Sequence, residues 1–255
     1  MNEMLAKKIE TINSLQAFLS KNQLSNFTEQ SLNEDFKLKY TYDSNAIEGN
    51  TLTLQETKVV LEGVTIGGKT IREHFEVINH AEAIDYIEDL AKAKEPLSEY
   101  EIKSIYHLIL KGIDDKYAGT YRDCDVFISG ARHTPPAHYS VQAEMDRFMS
   151  WYHNEAQNLH PIIRASMVHI DFVGIHPFRD GNGRTSRLLM NLELLKAELP
   201  AINIKSDRKA EYYEALDKAH CDNDFNPFNN LVADYVLQRL EEKKKLSQQN
   251  IRRQK

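Results

Sequence analysis

Residues 176 to 187, HPFRDGNGRTSR, concentrate side chains that can take part in chemistry. His176 can accept a proton near neutral pH, because the unperturbed pKa of histidine is about 6.5. Asp180 is the kind of single carboxylate that holds magnesium beside substrate phosphates. Arg184 and Arg187 supply cations that bind phosphate oxygens. A base, a metal ligand and phosphate-binding groups in one stretch predict phosphoryl or nucleotidyl transfer.

Both arginines lie where a helix disfavours positive charge. Leucines at helical spacing follow the glycines of this stretch, so we predict a helix that begins near Gly183. A helix N-terminus has unpaired N–H groups and about half a positive charge, and it disfavours a cation by up to roughly 1 kcal/mol. A bound polyanion removes this conflict, because Gly181 and Gly183 let the backbone approach it. We therefore predict a phosphate cradle; the alternative is a glycine turn with solvated arginines.

The composition of the chain limits its class. Its 255 residues suffice for one large or two small domains. A net charge of -6 gives no general attraction to nucleic acid or to anionic membranes, so we expect neither partner. Cys124 and Cys221 are interpreted as thiols of a reducing compartment, although a disulfide stays open. The charged N-terminus and the lack of a long apolar stretch predict a cytoplasmic protein.

Helix signals dominate elsewhere. Thr53 and Glu56 form a capping-box pattern, and Ser98 and Glu101 repeat it. We therefore predict an all-α fold. Further helices are predicted at about 4–19, 71–92, 141–155, 162–174, 208–220 and 227–245.

One segment departs from this pattern. Residues 125–138, DVFISGARHTPPAH, combine a β-prone start, a Ser129-Gly130 turn and two prolines. These features predict a small β-hairpin that packs against the helices. A plain connecting loop is the alternative.

A second charge also conflicts with a helix dipole. Glu48 lies at an apparent helix C-terminus just before Gly49, where an anion is disfavoured. Ser44 lies four residues earlier on the same face. A carboxylate at one helix end and an arginine at another helix start are both stabilised if they meet. We hypothesise that Glu48 pairs with Arg187; the alternative is an exposed glutamate near a turn.

Together these two segments resemble the Fic family, whose motif reads HPF, any residue, Asp or Glu, GNGR, two residues and Arg. Every motif position is filled from His176 to Arg187, and a weaker resemblance covers about residues 40–235. SNAIEGN also matches the inhibitory pattern of the family and precedes the motif. The resemblance implies a helical region at 1–95 with an inhibitory helix at about 42–50, a Fic domain at 96–240 and a charged tail at 241–255.

The resemblance implies an all-α Fic fold that transfers AMP from ATP to a protein hydroxyl group and releases pyrophosphate. By position, His176 is similar to the general base that deprotonates a target Ser, Thr or Tyr. Asp180 would hold Mg²⁺ between the α- and β-phosphates. Asn182, with the amides around Gly181 and Gly183, would stabilise charge on the transferred group.

The same resemblance gives roles to the two arginines. Arg184 would bind the β-phosphate and Arg187 the γ-phosphate, while Phe178 would be a buried anchor of the loop. If Glu48 occupies Arg187, ATP would bind in a pose poorly aligned for attack, and Ser44 belongs to the same inhibitory pattern.

Two further sites follow from the resemblance. Val126, Phe127 and Ile128 are similar to a flap strand that docks an extended target segment by main-chain pairing. Tyr212 and Tyr213 are similar to an aromatic pair beside the adenine. Some relatives have an asparagine where this chain has His220, which leaves the contact to the base open.

Several alternatives stay open at this stage. Glu48 could position a water that removes AMP from a target, or the cradle could sense nucleotides without turnover. A metal site of His160, His169 and His176 is a weaker alternative, because Pro177 ends the helix that would align them. The target could be the chain itself, and a homodimer contact is not located by the sequence.

Overall fold

A computed structural model of the chain describes residues 2–253. The described chain folds into ten α-helices joined by turns and loops. The helices are α1 (Glu3–Lys21), α2 (Asn26–Ile47), α3 (Leu54–Leu61), α4 (Ile71–Ala93), α5 (Glu99–Leu110), α6 (Val141–Asn154), α7 (Pro161–Ile175), α8 (Asn182–Lys196), α9 (Lys209–Asp222) and α10 (Asn226–Arg253).

The predicted helices are confirmed, with start points set by their caps. The capping boxes at Thr53 and Ser98 both form, and a third at Thr70 begins α4. The family resemblance implies a helical region at 1–95, but no individual helix is predicted within residues 22–41, where α2 begins at Asn26. The reason is that the C-terminal part of α2 buries polar side chains, so no apolar stripe marks this helix. Those buried polar residues include Thr41, Asp43, Ser44 and Asn45.

α8 lies at the centre of the fold. Twelve of its residues, Asn182 and Arg184 to Leu194, are buried. One apolar cluster joins α8 to α1, α7, α9 and α10, and another joins α8 to α2, α4, α5, α6 and α7. The loop between α7 and α8 therefore rests on a rigid base. Among residues 2–253, no helix is both long and apolar enough to cross a membrane.

The predicted β-hairpin does not form, and residues 2–253 contain no assigned strand. Segment 125–138 is an irregular loop with one turn, closed by the Ala131 N–H and the Ile128 carbonyl at 3.2 Å. Pro135 and Pro136 lack the N–H groups that a second strand would donate. Side chains hold the loop instead: the Asp125 carboxylate accepts from the His138 N–H at 2.8 Å.

The C-terminal boundary of the predicted Fic domain falls inside a helix. α10 continues from residue 240 through Arg253. Within the predicted tail, Ser247 Oγ donates to the carbonyl of Asn22 at 2.7 Å. Residues 254–255 of that tail lie outside the described residues. The division at 95 and 240 stays a prediction.

Candidate active site

The loop from α7 to α8 is held by an aromatic anchor and by one amide side chain. Phe178 is fully buried and stacks on Tyr106 with 3.5 Å between ring centroids. Asn182 Nδ2 donates to the Phe178 carbonyl, and Asn182 Oδ1 accepts from the Phe178 N–H, both at 2.9 Å. The side-chain amide of Asn182 thus closes the loop onto itself. Its role at a transferred group stays a prediction.

His176 is fixed in one tautomer by its own helix. It caps α7 in the left-handed conformation, with φ 51° and ψ 56°. Its Nδ1 lies 3.1 Å from the Val173 carbonyl, which can only accept, so Nδ1 carries the proton and Nε2 keeps the lone pair. Within residues 2–253, no hydrogen-bond partner for Nε2 is found. Burial lowers the pKa of His176, and the Val173 carbonyl and the Glu48 carboxylate offset part of that effect. The neutral imidazole can therefore take a proton at neutral pH.

Arg122 holds the His176 loop in place, and the sequence analysis missed it. Its side chain is fully buried. Arg122 Nε donates to the His176 carbonyl at 2.9 Å, and the Arg122 N–H donates to the Pro177 carbonyl at the same distance. The guanidinium also donates to the carbonyls of Cys124 and Pro136, which come before and after the flap residues Val126 to Ile128. One cation thus joins the flap to the motif loop.

Glu48 and Arg187 meet, as the helix-dipole argument predicted. Arg187 Nη2 lies 2.7 Å from Glu48 Oε1, between residues 139 positions apart. Ser44 contributes twice, because Arg187 Nε donates to Ser44 Oγ at 3.0 Å and Nη2 donates to the Ser44 carbonyl at 2.9 Å. The Arg187 side chain is 1% exposed and the Glu48 side chain 31% exposed. The end of α2 therefore covers the start of α8.

Gly183 permits this approach. A Cβ atom at residue 183 would overlap Glu48 Oε1 and would lie 3.1 Å from Arg187 Nη1. Gly181 has φ 72° at the N-cap of α8, a conformation that favours glycine. The two glycines of the motif thus have separate roles. Gly183 leaves space for Glu48, and Gly181 adopts a backbone conformation that favours glycine.

Asp180 and Arg184 form one end of the predicted phosphate cradle, and Arg187 with Glu48 forms the other. Arg184 Nη2 lies 3.5 Å from Asp180 Oδ1, and the Gly181 N–H donates to the same oxygen at 2.6 Å. Burial raises the pKa of Asp180, but Arg184, the Gly181 amide and Arg72 outweigh it and hold the pKa below its usual value. Asp180 is therefore an ionised carboxylate at neutral pH.

Arg184 keeps donors that the described chain does not use. The side chain is 1% exposed, and Nη1 lies 3.4 Å from Glu76 Oε1 as an ion pair without hydrogen-bond geometry. Among residues 2–253, neither Arg184 Nε nor Nη1 has a hydrogen-bond partner. Buried charged donors without acceptors are costly, and an anion in the cradle would supply acceptors.

Asp43, which the sequence analysis also missed, positions the end of α2. It is buried and accepts from Asn203 Nδ2 at 2.6 Å and from the Ser206 N–H at 3.0 Å. Lys205 Nζ lies 3.2 Å away. These contacts fasten the last turns of α2 to the segment before α9, and Ser44 and Glu48 follow on the same helix.

The predicted aromatic pair divides into a buried and an exposed member. The Tyr212 hydroxyl lies 2.9 Å from His169 Nε2 and 3.5 Å from Arg187 Nη1, so it belongs to the interior. Tyr213 is 44% exposed, and its hydroxyl lies 3.4 Å from the Ile47 carbonyl. His220 Nε2 lies 2.8 Å from the Ile170 carbonyl. Binding of a base by these residues stays a prediction.

The flap residues belong to no strand, and Arg122 links the carbonyl of the preceding Cys124 to the carbonyl of His176. Phe127 is 84% exposed, while Val126 and Ile128 are half-buried, which is the alternation of an extended segment. His169 bonds to Ser186 and Tyr212, and residues 2–253 contain no cluster of three His, Cys, Asp or Glu residues suited to a metal. The histidine metal site considered from the sequence is therefore not assembled.

Comparison with known proteins gives a family. A sequence model of the Fic/DOC family matches residues 96–194. The protein adenylyltransferase Fic of Nematostella vectensis is 39% identical over 198 residues, which cover 76% of this chain and 46% of that protein. A crystal structure of a Fic domain containing signaling protein from Bacteroides thetaiotaomicron has a TM-score of 0.85 at 29% identity and covers 94% of this chain and 97% of that one.

The structure of Fic-1 from C. elegans decides the assignment. It is 30% identical with a TM-score of 0.86, and the match covers 97% of this chain and 74% of that one. This chain belongs to the Fic/DOC family. It spans about half the length, 46%, of the Nematostella vectensis relative.

The Fic/DOC motif of this chain fits a magnesium ion held partly by substrate. Asp180 is ionised, and its side chain is 47% exposed beside the glycine loop. Magnesium typically takes one or two carboxylates, and substrate phosphates and waters complete its shell. The unsatisfied donors of Arg184 mark the place where such phosphates would bind. The donor set therefore suits a metal–nucleotide complex.

Proposed function

We propose that this chain transfers AMP from ATP to the hydroxyl group of a protein side chain. The observation that carries the proposal is that His176 and ionised Asp180 lie between α7 and α8, while two buried arginines lie in the first two turns of α8. Nucleotidyl transfer requires a base that is free to take a proton, an anion that can hold a metal ion and cationic donors that can bind phosphate oxygens. The name of the Nematostella vectensis relative agrees with this activity.

In the proposed reaction, His176 Nε2 takes the proton of the target hydroxyl. The hydroxyl oxygen forms a bond to the α-phosphorus, the bond from that phosphorus to the bridging oxygen breaks, and pyrophosphate leaves. Magnesium bound at Asp180 would neutralise charge on the phosphates. Arg184 would hold the β-phosphate and Arg187 the γ-phosphate, so that the leaving group lies in line with the attacking oxygen.

Glu48 would hold the chain inactive. Its carboxylate occupies Arg187 at 2.7 Å, and the γ-phosphate would need the same guanidinium. ATP would then bind without alignment, so the loss would appear more in kcat than in affinity. Ser44 would keep Arg187 aimed at the cradle when Glu48 leaves.

The flap would dock the target by its main chain. Val126, Phe127 and Ile128 belong to no strand in the described chain, and as an extended edge they would offer main-chain groups with which an extended target peptide can pair. Arg122 ties this edge to the carbonyl of His176, which would set the distance from the docked segment to the base.

The test compares wild type, Glu48→Gly, and Glu48→Gly with His176→Ala, each with magnesium and ATP labelled at the α-phosphate. Label on protein, including self-modification, should be strong only in the Glu48→Gly single variant. Glu62→Gly is the matched control: like Glu48, Glu62 caps a helix C-terminus just before a glycine, but it pairs only with Lys58 at 3.9 Å. No label in any variant, despite measured ATP binding, would refute AMP transfer.

The position of Glu48 favours one second activity. Its carboxylate is partly exposed and close enough to His176 to raise the pKa of that imidazole. Glu48 could therefore position a water that removes AMP from a modified protein. The preparation labelled by Glu48→Gly provides the substrate: wild type should release AMP from it, and Glu48→Gly should not.

A further inference from the structure

Arg72, on α4, forms an ion pair with the carboxylate of Asp180. Arg72 Nη2 contacts Asp180 Oδ2, and Arg72 Nε lies 3.1 Å from Glu76 Oε1. Glu76 is one turn further along α4 and has a side chain that is 12% exposed, whereas the Arg72 side chain is 55% exposed. Arg72 thus bridges Asp180 and a mostly buried anion while one side of it faces solvent.

The dipole and the cap of α4 do not explain this placement. Arg72 is the second residue of the helix, in the first turn, where the dipole disfavours a cation. The cap of α4 is already complete without Arg72, because Thr70 and Glu73 form a capping box. The two acids Asp180 and Glu76 are therefore what hold Arg72 in the cradle.

We propose that Arg72 competes with the divalent cation for Asp180, so that α4 sets the metal concentration at which the cradle can work. This inference rests on the proposed function, because it takes Asp180 as the metal ligand. The same carboxylate oxygens cannot serve a guanidinium and a metal ion fully at once, and the positive charges of the two would repel each other. Since Arg72 is half exposed, leaving Asp180 costs little.

Glu76 gives the released arginine a place to remain. Its Oε1 accepts from Arg72 Nε and also lies 3.4 Å from Arg184 Nη1. Its Oε2 accepts from Asn50 Nδ2 at 2.9 Å, in the turn that follows Glu48. Arg72 is thus a positioning residue that can move from Asp180 to Glu76 without leaving the edge of the site.

The test measures metal binding directly. Mn²⁺ is titrated into protein saturated with the β,γ-imido analogue of ATP, and protein-bound Mn²⁺ is followed by water proton relaxation. Arg72→Met should tighten Mn²⁺ binding about two- to fivefold, the range expected for an exposed ion pair, and Arg72→Lys should do so less. As a second readout, Arg72→Met should lower the Mg²⁺ concentration for half-maximal labelling in the Glu48→Gly background.

Arg179→Met is the matched control. It removes the same charge from the residue next to Asp180, but Arg179 pairs with Asp123 through Nε at 3.0 Å. Mn²⁺ binding should be unchanged in this variant, because Arg179 does not contact Asp180. Denaturation midpoints of all variants would confirm that each one folds.

The outcomes separate this inference from the proposed function. If Asp180→Asn abolishes Mn²⁺ binding but Arg72→Met leaves it unchanged, the competition is refuted and the metal site stands. Equally tighter Mn²⁺ binding in Arg72→Met and Arg179→Met would also refute the competition, because the loss of any nearby positive charge would then explain the effect. If Asp180→Asn binds Mn²⁺ as well as wild type, the metal ligand of the proposed function is refuted together with the competition.

Discussion

The two ends of the cradle are each closed by an ion pair, but the pairs have opposite polarity and different burial. At one end the anion Glu48 holds Arg187, whose side chain is 1% exposed. At the other end the cation Arg72 holds Asp180, and both side chains are about half exposed, at 55% and 47%. One pair blocks the group that would bind phosphate, and the other blocks the group that would bind metal.

Burial makes the two pairs differ in strength. An exposed pair contributes about 0–1 kcal/mol, whereas loss of one partner from a buried hydrogen-bonded charge costs more. Arg187 is also held by Ser44 and by the buried helix α8, so it stays in place when Glu48 leaves. Under the proposed function, we expect the Glu48 end to act as a lock and the Arg72 end to be a contact that metal displaces.

The largest expected effect comes from replacing Arg187, the arginine that pairs with Glu48. In Glu48→Gly, the further change Arg187→Met should lower the labelling rate about a hundredfold, because the γ-phosphate loses its partner and ATP its alignment. Initial rates at saturating ATP and magnesium measure this effect. Arg208→Met in the same background is the control, since Arg208 pairs with Glu211 on the surface. An undiminished rate after Arg187→Met would show that this end of the cradle does not hold substrate.

The difference in burial should appear next as a difference in stability. Glu48→Ala removes the carboxylate that accepts from buried Arg187 Nη2, which keeps only the Ser44 carbonyl, and should lower the free energy of unfolding by about 1–3 kcal/mol. Arg72→Met should change it by less than about 0.5 kcal/mol. Urea denaturation measures both, and Glu62→Ala corrects for the loss of an anion at a helix C-terminus. Equal effects of the two changes would remove the distinction between lock and displaceable contact.

A smaller effect is expected where α2 is fastened. Asp43→Asn weakens the contacts to Asn203, Lys205 and Ser206, and the freed end of α2 should hold Glu48 less firmly on Arg187. We expect labelling by the otherwise wild-type chain to rise a few-fold, roughly in line with 1 kcal/mol. Asp207→Asn, an exposed neighbour, should have no effect. Labelling that stays at the wild-type level would show that Glu48 is positioned without Asp43.

The smallest effect is a shift in pH dependence. Burial holds the pKa of His176 below its usual value, so the neutral base should persist at pH 7 and activity should fall at a lower pH than the ordinary pKa of a histidine would give. The Glu48 carboxylate raises this pKa, so its removal should move the acid limb to lower pH. Initial rates of Glu48→Gly and wild type across the acid limb test this. If the activity of Glu48→Gly instead fell at a higher pH than that of wild type, the result would contradict the effect that Glu48 is expected to have on the pKa of His176.

Much of the site could be predicted because its signals are local. The motif loop, the start of α8 and the C-cap position of Glu48 follow from glycines, leucine spacing and helix dipoles within a few residues. Arg72, in the first turn of α4, has the same local signal of a charge that conflicts with a helix dipole, although no role was predicted for it. Arg122 had no such signal, because the partners of its side chain are backbone carbonyls up to 54 positions away.

The flap shows where local signals mislead. The run from Val126 to Ile128 has β propensity and a glycine turn follows it, yet no strand forms. A hairpin requires a partner strand with donors, and two prolines in the return arm remove them. Arg122 and Arg132 hold the two arms instead, the latter through Asp222 at 2.9 Å.

The sequence by itself determined the helices, the motif loop and the chemistry of its side chains, since each depends on neighbours along the chain. Only the tertiary structure decided which charges meet. Glu48 and Arg187 are 139 positions apart, and Arg72 and Asp180 are 108 positions apart. Contacts over such distances depend on how α2 and α4 pack on α8 and on buried anchors such as Asp43. Packing of this kind arises from the whole core, and no short stretch of sequence encodes it.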